Sequence, residues 1–397
     1  MRSWVDIIVD GTAEFEAPER FWYWAGLATI AACVKKNVYL DRYAYKLYPN
    51  MYVLLMAKSG GRKGNPPSLA KRLVGIVNNT RVISGRNTIE AILKDLGKAQ
   101  TGPDGAVVKE ATGFITSGEL ASLLVESPKA LDILTDLYDT HAHVPHWKNT
   151  LKTAGVDTLK EPCINLLAAT NEVHFKSVLS RKDIIGGFIA RTIVVLEFKR
   201  RTINSLMYEP TSPMPTDEEL SVYLKEVAKC RGKFSIEESA KKDYDIWYRN
   251  LAQMTDSDQT GNIERLGDTA LKVAMNISLS YTTEMIITRE HMDEAISKTI
   301  ECVGGMKKVT MGGGNSDYAY ATSIVLRELL DRADHRRTRK QILSKYWGEF
   351  DALTLDRIIE TLVQTDAITA EREDKEIVYT MTPETVEAYM KFKKEVN

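Results

Sequence analysis

A lysine in a glycine-bearing turn follows a hydrophobic segment near the start of the chain. Residues Met51–Met56 predict a buried strand, and the apolar periodicity of Leu69–Val77 predicts a helix. A strand, a glycine-bearing turn and a helix form a geometry that binds phosphate on backbone N–H groups. The alternative is an ordinary tight turn after a core strand. The candidate phosphate-binding residues are Ser59, Gly60, Gly61, Arg62, Lys63 and Gly64.

The turn departs from the usual phosphate-loop template, which has glycine first, glycine before the lysine and serine or threonine after it. Ala57, Arg62 and Gly64 occupy those three positions here. Gly64 has no hydroxyl to ligate Mg²⁺, so Ser59 or Ser68 would have to substitute for it. The sequence therefore predicts phosphate binding with weakened metal binding, and it identifies no definite metal ligand.

Polar side chains follow two later hydrophobic strands. Gly113–Thr116 leads to Glu119, and Ile164–Ala168 leads to Asn171. Parallel strands end at one edge of a sheet, where a carboxylate can polarise an attacking water and an amide can orient it. Glu119 could equally be a solvated residue favoured by the dipole of the helix that it opens. Arg191, at the entry to the last strand, is a plain surface cation in the simplest interpretation.

The elements that must position these residues alternate between short hydrophobic strands and helical segments. This alternation is typical of a three-layer α/β fold built on a parallel sheet. The five expected strands are Met51–Met56, Arg81–Ser84, Gly113–Thr116, Ile164–Ala168 and Thr192–Phe198.

Patterns beyond the last strand predict a helical region and then a small separate domain. Thr216–Glu219 and Ser235–Glu238 match capping boxes that open helices, and Gly312–Ser316 is the clearest linker. After it, three helical segments precede an alternating pair, Ile368–Glu371 and Glu376–Thr380, as in a winged helix. We expect four regions: an N-terminal helical segment packed on the core (1–48), the α/β core (49–205), a helical lid (206–311) and a winged-helix domain (312–397).

In chain order, Lys63, Glu119, Asn171 and Arg191 follow the strand-by-strand arrangement of an AAA+ ATPase. The chain resembles the AAA+ helicase-like ATPases of phages and mobile elements and, more loosely, the minichromosome maintenance helicases. The segments that show the resemblance span roughly residues 20–310 and are YPNMYVLLMAKSGGRK, GFITSGELASLL, NLLAATN, GGFIARTIVV and IERLGDTALKVAMNIS.

The resemblance implies a three-layer P-loop NTPase core, a helical lid and a ring, a homo-hexamer or similar, that uses ATP and Mg²⁺ to move DNA. It implies that Lys63 binds phosphate, Glu119 is the catalytic acid and Asn171 is the first sensor. It also implies that Arg191 is an arginine finger reaching the neighbour's nucleotide, and that Arg265 is the second sensor in the lid. The aspartate usual two residues before the glutamate is Ser117 here, with Asp139 as a possible substitute or a solvent-facing helix end.

A basic segment between Glu119 and Asn171 predicts a β-hairpin, with strands His146–Lys152 and Val156–Lys160. In the resembled helicases a hairpin at this place points into the central channel and grips the DNA backbone. Lysines would contact phosphates, and a tryptophan would stack on a base. The alternative is a solvated surface hairpin whose tryptophan packs on its own base. The candidate DNA-binding residues are Trp147, Lys148, Lys152 and Lys160.

The composition limits the remaining possibilities. The net charge of −1 gives no global basic field, so nucleic-acid binding must come from local patches. Four widely spaced cysteines and the lack of a membrane-spanning stretch favour a cytoplasmic protein, in the host cell if phage-encoded. The leading hypothesis is a ring-forming DNA helicase or translocase in phage or mobile-element replication, with a primase or loader as a candidate partner. The alternatives are a nucleotide-binding loader or tethering protein with weak or no hydrolysis, and a winged-helix regulator.

Overall fold

The computed structural model describes residues 2–78, 80–85, 87–98, 100–101, 107–108, 110–120, 129–139, 146–151, 155–178, 187–205, 214–252, 263–310, 319–374 and 376–387. The chain divides into two compact units, Met1–Lys307 and Lys308–Asn397, called here the N-terminal and C-terminal units. Lys152 and the predicted linker Gly312–Ser316 lie outside the described residues.

The N-terminal unit contains helices and short strands in alternation. Its helices are α1 (Trp4–Gly11), α2 (Glu19–Val34), α3 (Asn65–Val77), α4 (Ile89–Leu96), α5 (Ala130–Asp139), α6 (Glu172–Val178), α7 (Asp217–Val227), α8 (Glu238–Ala252), α9 (Leu266–Tyr281) and α10 (Arg289–Thr310). The helix α10 continues beyond Lys307, the last residue of the unit. Its strands are β1 (Val38–Asp41), β2 (Lys46–Leu47), β3 (Tyr52–Met56), β4 (Arg81–Ser84), β5 (Gln100–Thr101), β6 (Val107–Val108), β7 (Thr112–Ser117), β8 (His146–Leu151), β9 (Gly155–Lys160), β10 (Cys163–Thr170), β11 (Thr192–Leu196), β12 (Gly232–Lys233), β13 (Ser235–Ile236) and β14 (Ile286–Ile287).

Five parallel strands form the central sheet, in the order β11-β3-β10-β7-β4. The first predicted strand lies inside the sheet, because Leu166 of β10 and Thr192 of β11 both pair with Tyr52 of β3. β3 and β10 are buried along their whole length, as expected of parallel strands covered on both faces. The predicted parallel α/β sheet of five strands is confirmed, with ends that differ by one or two residues.

Helices cover both faces of this sheet. Val53 and Leu55 of β3 share a hydrophobic core with α2 and α3 on one face. On the other face, Tyr52 donates its hydroxyl to a backbone carbonyl of α5 at 2.8 Å, and Gly113 of β7 lies against Leu96 of α4. The crossover outward from β3 to β4 therefore runs over one face, and the crossovers that return through β7 to β10 run over the other, as right-handed connections require. The result is a three-layer arrangement.

The buried helix α2 lies at the centre of the N-terminal unit. It is apolar around its circumference, as Phe21, Trp24 and Leu27 illustrate, and a helix of that kind is stable only when it is enclosed. It packs on α1, α3, α7, α9 and β10. The helices α7 and α9, from the region expected to form a lid, therefore belong to the same hydrophobic core as the sheet.

One of the two predicted capping boxes is present. The Thr216 hydroxyl accepts the Glu219 N–H at 3.2 Å, and the Glu219 carboxylate accepts the Thr216 N–H at 2.8 Å. The capping box predicted at Ser235 is wrong. Ser235 lies in β13, pairs with Ile286 and donates its N–H to the Met285 carbonyl at 3.1 Å. A long-range strand pairing therefore overrides the local helix-start pattern, and α8 begins three residues later.

The C-terminal unit combines three helices with a small antiparallel sheet. Its helices are α11 (Ala319–Leu330), α12 (Arg339–Tyr346) and α13 (Ala352–Gln364), and its strands are β15 (Arg336–Thr338), β16 (Ile368–Glu373) and β17 (Glu376–Met381). The sheet order is β15-β17-β16. The predicted helices and strand pair are present. The strand β15 was not predicted, because three residues are too few to show an alternating pattern. Val325, Ile342 and Leu355 belong to the separate hydrophobic core of this unit.

Candidate functional site

The loop after β3 depends on two of its glycines. Gly60 has a φ of +77° and Arg62 a φ of +54°, in the left-handed region that glycine tolerates best. A Cβ on Gly61 would lie 2.8 Å from the Cβ of Ala57 and 3.1 Å from the Lys58 carbonyl oxygen. By contrast, a Cβ on Gly64 would meet nothing within 4 Å. The loop therefore tolerates a side chain at its last position but not at Gly61.

The backbone donors of this loop are available to a ligand. Of the N–H groups of residues 58–64, only that of Gly61 has a protein acceptor in the part of the chain that the structure describes. The start of α3 offers few donors, because Asn65 bonds the Arg62 carbonyl at 3.3 Å and Pro66 and Pro67 have no N–H. A bound anion would consequently be held by the loop rather than by the helix N-terminus.

Lys63 and Arg62 differ in their surroundings. The ammonium of the half-buried Lys63 has no hydrogen-bond or ion-pair partner within the described ranges. Arg62 instead donates its Nε to Oε2 of Glu16 at 2.6 Å, and Arg200 donates Nη1 to Oε1 of the same carboxylate at 2.8 Å. Glu16 is 3% exposed, and the hydrogen bond from Arg62 is the main cause that lowers its pKa. Lys63 thus remains available to an anion.

Thr170, at the end of β10, connects the loop to Glu119. Its carbonyl oxygen accepts the Ala57 N–H at 3.4 Å, and its hydroxyl donates to Oε1 of Glu119. The same Glu119 oxygen lies 3.8 Å from Nδ1 of His174. Because Thr170 is fully buried, it fixes the carboxylate relative to the loop. No sequence pattern singles out Thr170 or His174 as site residues.

Asn171 directly follows Thr170 at the same edge of the sheet. Its side-chain oxygen accepts the Val173 N–H at 2.9 Å, so its amide nitrogen is the end suited to donate to a phosphate or a water. Lys63, Glu119 and Asn171 thus follow the carboxyl ends of β3, β7 and β10, which are adjacent in the sheet. We call this edge, with the loop, the carboxyl edge.

Arg191 and Arg265 lie together at the opposite edge, which we call the amino edge. Arg191 precedes Thr192, the partner of Tyr52 at the start of β3. Its Nε donates to Oδ2 of Asp139 at 2.8 Å, and Arg265 approaches the same oxygen at 3.4 Å. The Arg191 side chain is 13% exposed and paired, so it is not a plain surface cation. Asp139, at the end of α5, is the carboxylate that pairs with both arginines.

A buried lysine that the sequence did not reveal lies at the amino edge. Lys272 of α9 donates to Oδ1 of Asn50 at 2.8 Å and sits 3.8 Å from the centre of the Tyr138 ring. Burial lowers its pKa to about 8. The sequence signal that could have revealed this buried lysine is its position, since it is the single lysine among the apolar residues of α9. Its contacts fasten α9 to the segments that begin β3 and end α5.

The predicted hairpin is confirmed, with β8 and β9 antiparallel and Lys148 opposite Thr158. Lys148 and Lys160 are exposed and lie on one face of the hairpin, since Lys160 pairs with His146. Trp147 is only 9% exposed, which fits the alternative that it packs on the hairpin's own base; its stacking on a nucleic-acid base stays a prediction. It pairs across the strands with the fully buried Leu159, which packs on α4. The face that carries Trp147 and Leu159 is therefore buried, and the lysines of the other face are exposed.

A basic segment of the C-terminal unit, Arg336–Lys340, has three of its four basic side chains paired with carboxylates. Arg336 pairs with Glu373, and Arg339 is held by both oxygens of Asp356 at 3.0 and 2.9 Å. Arg337 bonds the buried Glu328 at 2.7 Å. Burial raises the Glu328 pKa, but hydrogen bonds from Lys345, Arg337 and Tyr346 outweigh burial and lower it to about 2. These pairs leave little free charge for nucleic-acid phosphates.

Among the described residues, no cluster of histidine, cysteine and acidic side chains could hold a metal ion, and no helix has the length and apolarity needed to cross a membrane. Taken together, the described residues place a donor-rich loop, a free lysine and a fixed carboxylate at one edge of a parallel sheet, and two paired arginines at the other. No protein-family model matches this chain, and no curated protein matches it either.

Proposed function

We propose that this chain is an AAA+ type ATPase that acts as a ring-forming DNA helicase or translocase in phage or mobile-element replication. The observation that supports the proposal best is the bond of Thr170 to both Ala57 and Glu119. It connects a phosphate-type loop to a carboxylate placed where a water must be polarised. The Ala57 bond continues the β3–β10 ladder, whereas the side-chain bond from Thr170 to Glu119 is one that a plain turn after a core strand does not require.

The described residues fit a bound nucleoside triphosphate. Free N–H groups of residues 58–64 would hold the phosphates, and Lys63 would neutralise their charge. Glu119 would accept a proton from the attacking water while Thr170 holds the carboxylate in place, and Asn171 would orient that water. A Mg²⁺ ion bound with the nucleotide would neutralise phosphate charge, and the exposed Ser59 would be the loop hydroxyl that holds it.

The amino edge explains why a ring is part of the proposal. The five-residue β3 separates Arg191 from the loop of its own subunit by roughly 13 Å, at about 3.3 Å per residue. Arg191 therefore cannot reach the phosphates bound by its own chain. If the amino edge of one subunit faces the carboxyl edge of the next, Arg191 and Arg265 complete the neighbour's site, where an arginine stabilises transition-state charge.

DNA binding rests on the hairpin in this proposal. Lys148 and Lys160 face solvent on one side of a hairpin whose strand β9 packs on α4, with the buried Leu159 beside the end of that helix. Two fixed lysines suit contacts with a phosphate backbone and give no sequence preference. The neutralised arginines of the C-terminal unit argue against an operator-reading regulator. A winged-helix role in protein contacts is consistent with that unit's three helices and three strands.

The alternative is a nucleotide-binding loader or tethering protein with weak or no hydrolysis. Two observations favour it. Gly64 leaves the start of α3 without a hydroxyl, and Ser117 uses its own hydroxyl to accept the Glu119 N–H at 3.3 Å, which supplies no charge for a metal. Such a protein would bind ATP and change its assembly state without turnover.

Steady-state ATP hydrolysis with and without single-stranded DNA distinguishes these functions. DNA-stimulated turnover is the result expected of a helicase or translocase. ATP binding in the absence of turnover, with or without DNA, would replace the helicase proposal by the tethering protein. A chain that binds no ATP at all would overturn both.

We expect Gly61→Ala to weaken ATP binding, because its Cβ would clash with Ala57 and with the Lys58 carbonyl. Overpacking of this kind costs about 1–3 kcal/mol, which corresponds to roughly 5- to 150-fold in affinity if the loop must move to accept it. Gly64→Ala is the matched control, since it adds the same atom where nothing lies within 4 Å. Calorimetric titration with Mg·ATP measures both, and equal affinities would contradict the proposed loop.

A further inference from the structure

A short segment after β11 runs beside the phosphate loop. Glu197 donates its N–H to the Met56 carbonyl at 3.0 Å, so the chain is still paired with β3 where the loop begins. Further along, the Arg201 N–H bonds the Glu16 carbonyl at 3.1 Å. These two bonds fix Arg200, which lies between them, at the carboxyl edge. None of the motifs found in the sequence includes Arg200.

Glu16 holds two guanidinium groups at once. Its Oε1 accepts from Arg200 and its Oε2 from Arg62, at 2.8 and 2.6 Å. The carboxylate is 3% exposed, whereas the Arg200 side chain is 42% exposed. A buried carboxylate with both oxygens occupied acts as a fixed support, and the arginines project from it toward solvent. The trio carries a net charge of one positive unit beside the loop.

Arg200 has donors left over, and they face the loop. A guanidinium has five N–H donors, and Glu16 takes only one from Nη1. The other terminal nitrogen, Nη2, would lie 3.9 Å from a Cβ built on Gly60. The left-handed Gly60 thus leaves room on the side from which Arg200 approaches. An arginine oriented by a carboxylate on one side can bond a phosphate on the other.

We propose that Arg200 is a phosphate-binding residue that acts within its own subunit, oriented by Glu16 toward the polyphosphate of a nucleotide in the loop. The inference deepens the proposed function and rests on it. It assigns to the site a second same-subunit cation besides Lys63. It also gives a purpose to Arg62, which occupies a template glycine position and pairs with the same carboxylate.

Binding of ATP and ADP to the full chain, measured by calorimetry with Mg²⁺, tests this role. Arg200→Ala should weaken both affinities by about 10- to 100-fold, the usual effect of losing hydrogen bonds to a charged group. Arg200→Lys should lose less, because an ammonium keeps the charge but cannot hold Glu16 and a phosphate in the same planar geometry. Arg72→Ala is the matched control, since it removes an arginine–aspartate pair with Asp217 on the surface of α3.

The outcomes separate this inference from the function on which it rests. Arg200→Ala binding ATP as the wild type does, while Lys63→Ala does not bind, would overturn the role of Arg200 and leave the ATPase intact. A wild-type chain that binds neither nucleotide would overturn both. If Arg200→Ala does not fold, Arg200→Lys decides: wild-type affinities in that variant would show that only the ion pair with Glu16 matters.

Discussion

Lys63→Ala is expected to abolish detectable ATP binding while leaving the fold unchanged. The ammonium of Lys63 has no protein partner among the described residues, so its removal breaks no contact that stabilises the chain. The start of α3 cannot compensate, because Pro66 and Pro67 remove donors that other helices offer to phosphate. We expect an affinity loss of at least about 100-fold, measured by titration with Mg·ATP.

Lys71→Ala is the control for this experiment. Lys71 is an exposed lysine on α3, two turns from Lys63, and its removal lowers the local positive charge equally. Thermal unfolding without nucleotide should give the same midpoint for both variants and the wild type. If Lys63→Ala and Lys71→Ala bind ATP equally well, the loop is an ordinary turn and the ATPase proposal loses its basis.

Arg191→Ala should bind ATP almost normally but lose hydrolysis by a factor of roughly 10³–10⁵, the usual value of an arginine supplied in trans. Binding survives because Arg191 lies at the amino edge, away from the loop of its own chain. Hydrolysis fails because each neighbour's site lacks the cation that stabilises its transition state. Titration and steady-state turnover, measured on the same preparations, separate the two effects.

Mixing the Arg191→Ala and Lys63→Ala chains tests whether the site is shared. In mixed rings some interfaces combine an intact Lys63 with an intact Arg191, so part of the activity should return. Arg249→Ala is a suitable control, since it removes an exposed arginine whose one ion-pair partner among the described residues is Asp245, also on α8. No recovery in oligomers shown by mass to be mixed would contradict a shared site and favour the tethering protein.

Local patterns predicted the sheet well because a strand that is covered by helices on both faces must be hydrophobic along its length, and such a run is visible in the sequence. Met51–Met56 is hydrophobic throughout, and Ile164–Ala168 is hydrophobic except for the buried Asn165, because β3 and β10 are covered on both faces. Failures came where distant contacts override a local pattern. Ser235 has a perfect helix-start signature, yet its N–H is used by a strand partner some fifty residues later, near Met285.

The candidate site was predicted only as far as single positions can reveal it. Lys63 and Glu119 stand out because each follows a strand, but the residues that hold the site together do not. Glu16 and Arg200 are separated by 184 residues in the chain, and neither lies in a recognisable pattern. The two alternatives for Trp147 could not be separated for a related reason: a tryptophan among lysines suggests stacking, whereas its burial follows from a strand pairing with Leu159 that the local sequence does not reveal.

The separation of the two edges has a consequence for how activity would depend on concentration. Under the proposed arrangement, contacts are head-to-tail, so the surface that one subunit offers differs from the surface that it meets. An open row of subunits then has one complete site fewer than it has members, and a closed ring has none missing. Turnover per chain would rise as rows lengthen and close, even with identical and independent sites. A steep activity curve would therefore report assembly, not communication between sites.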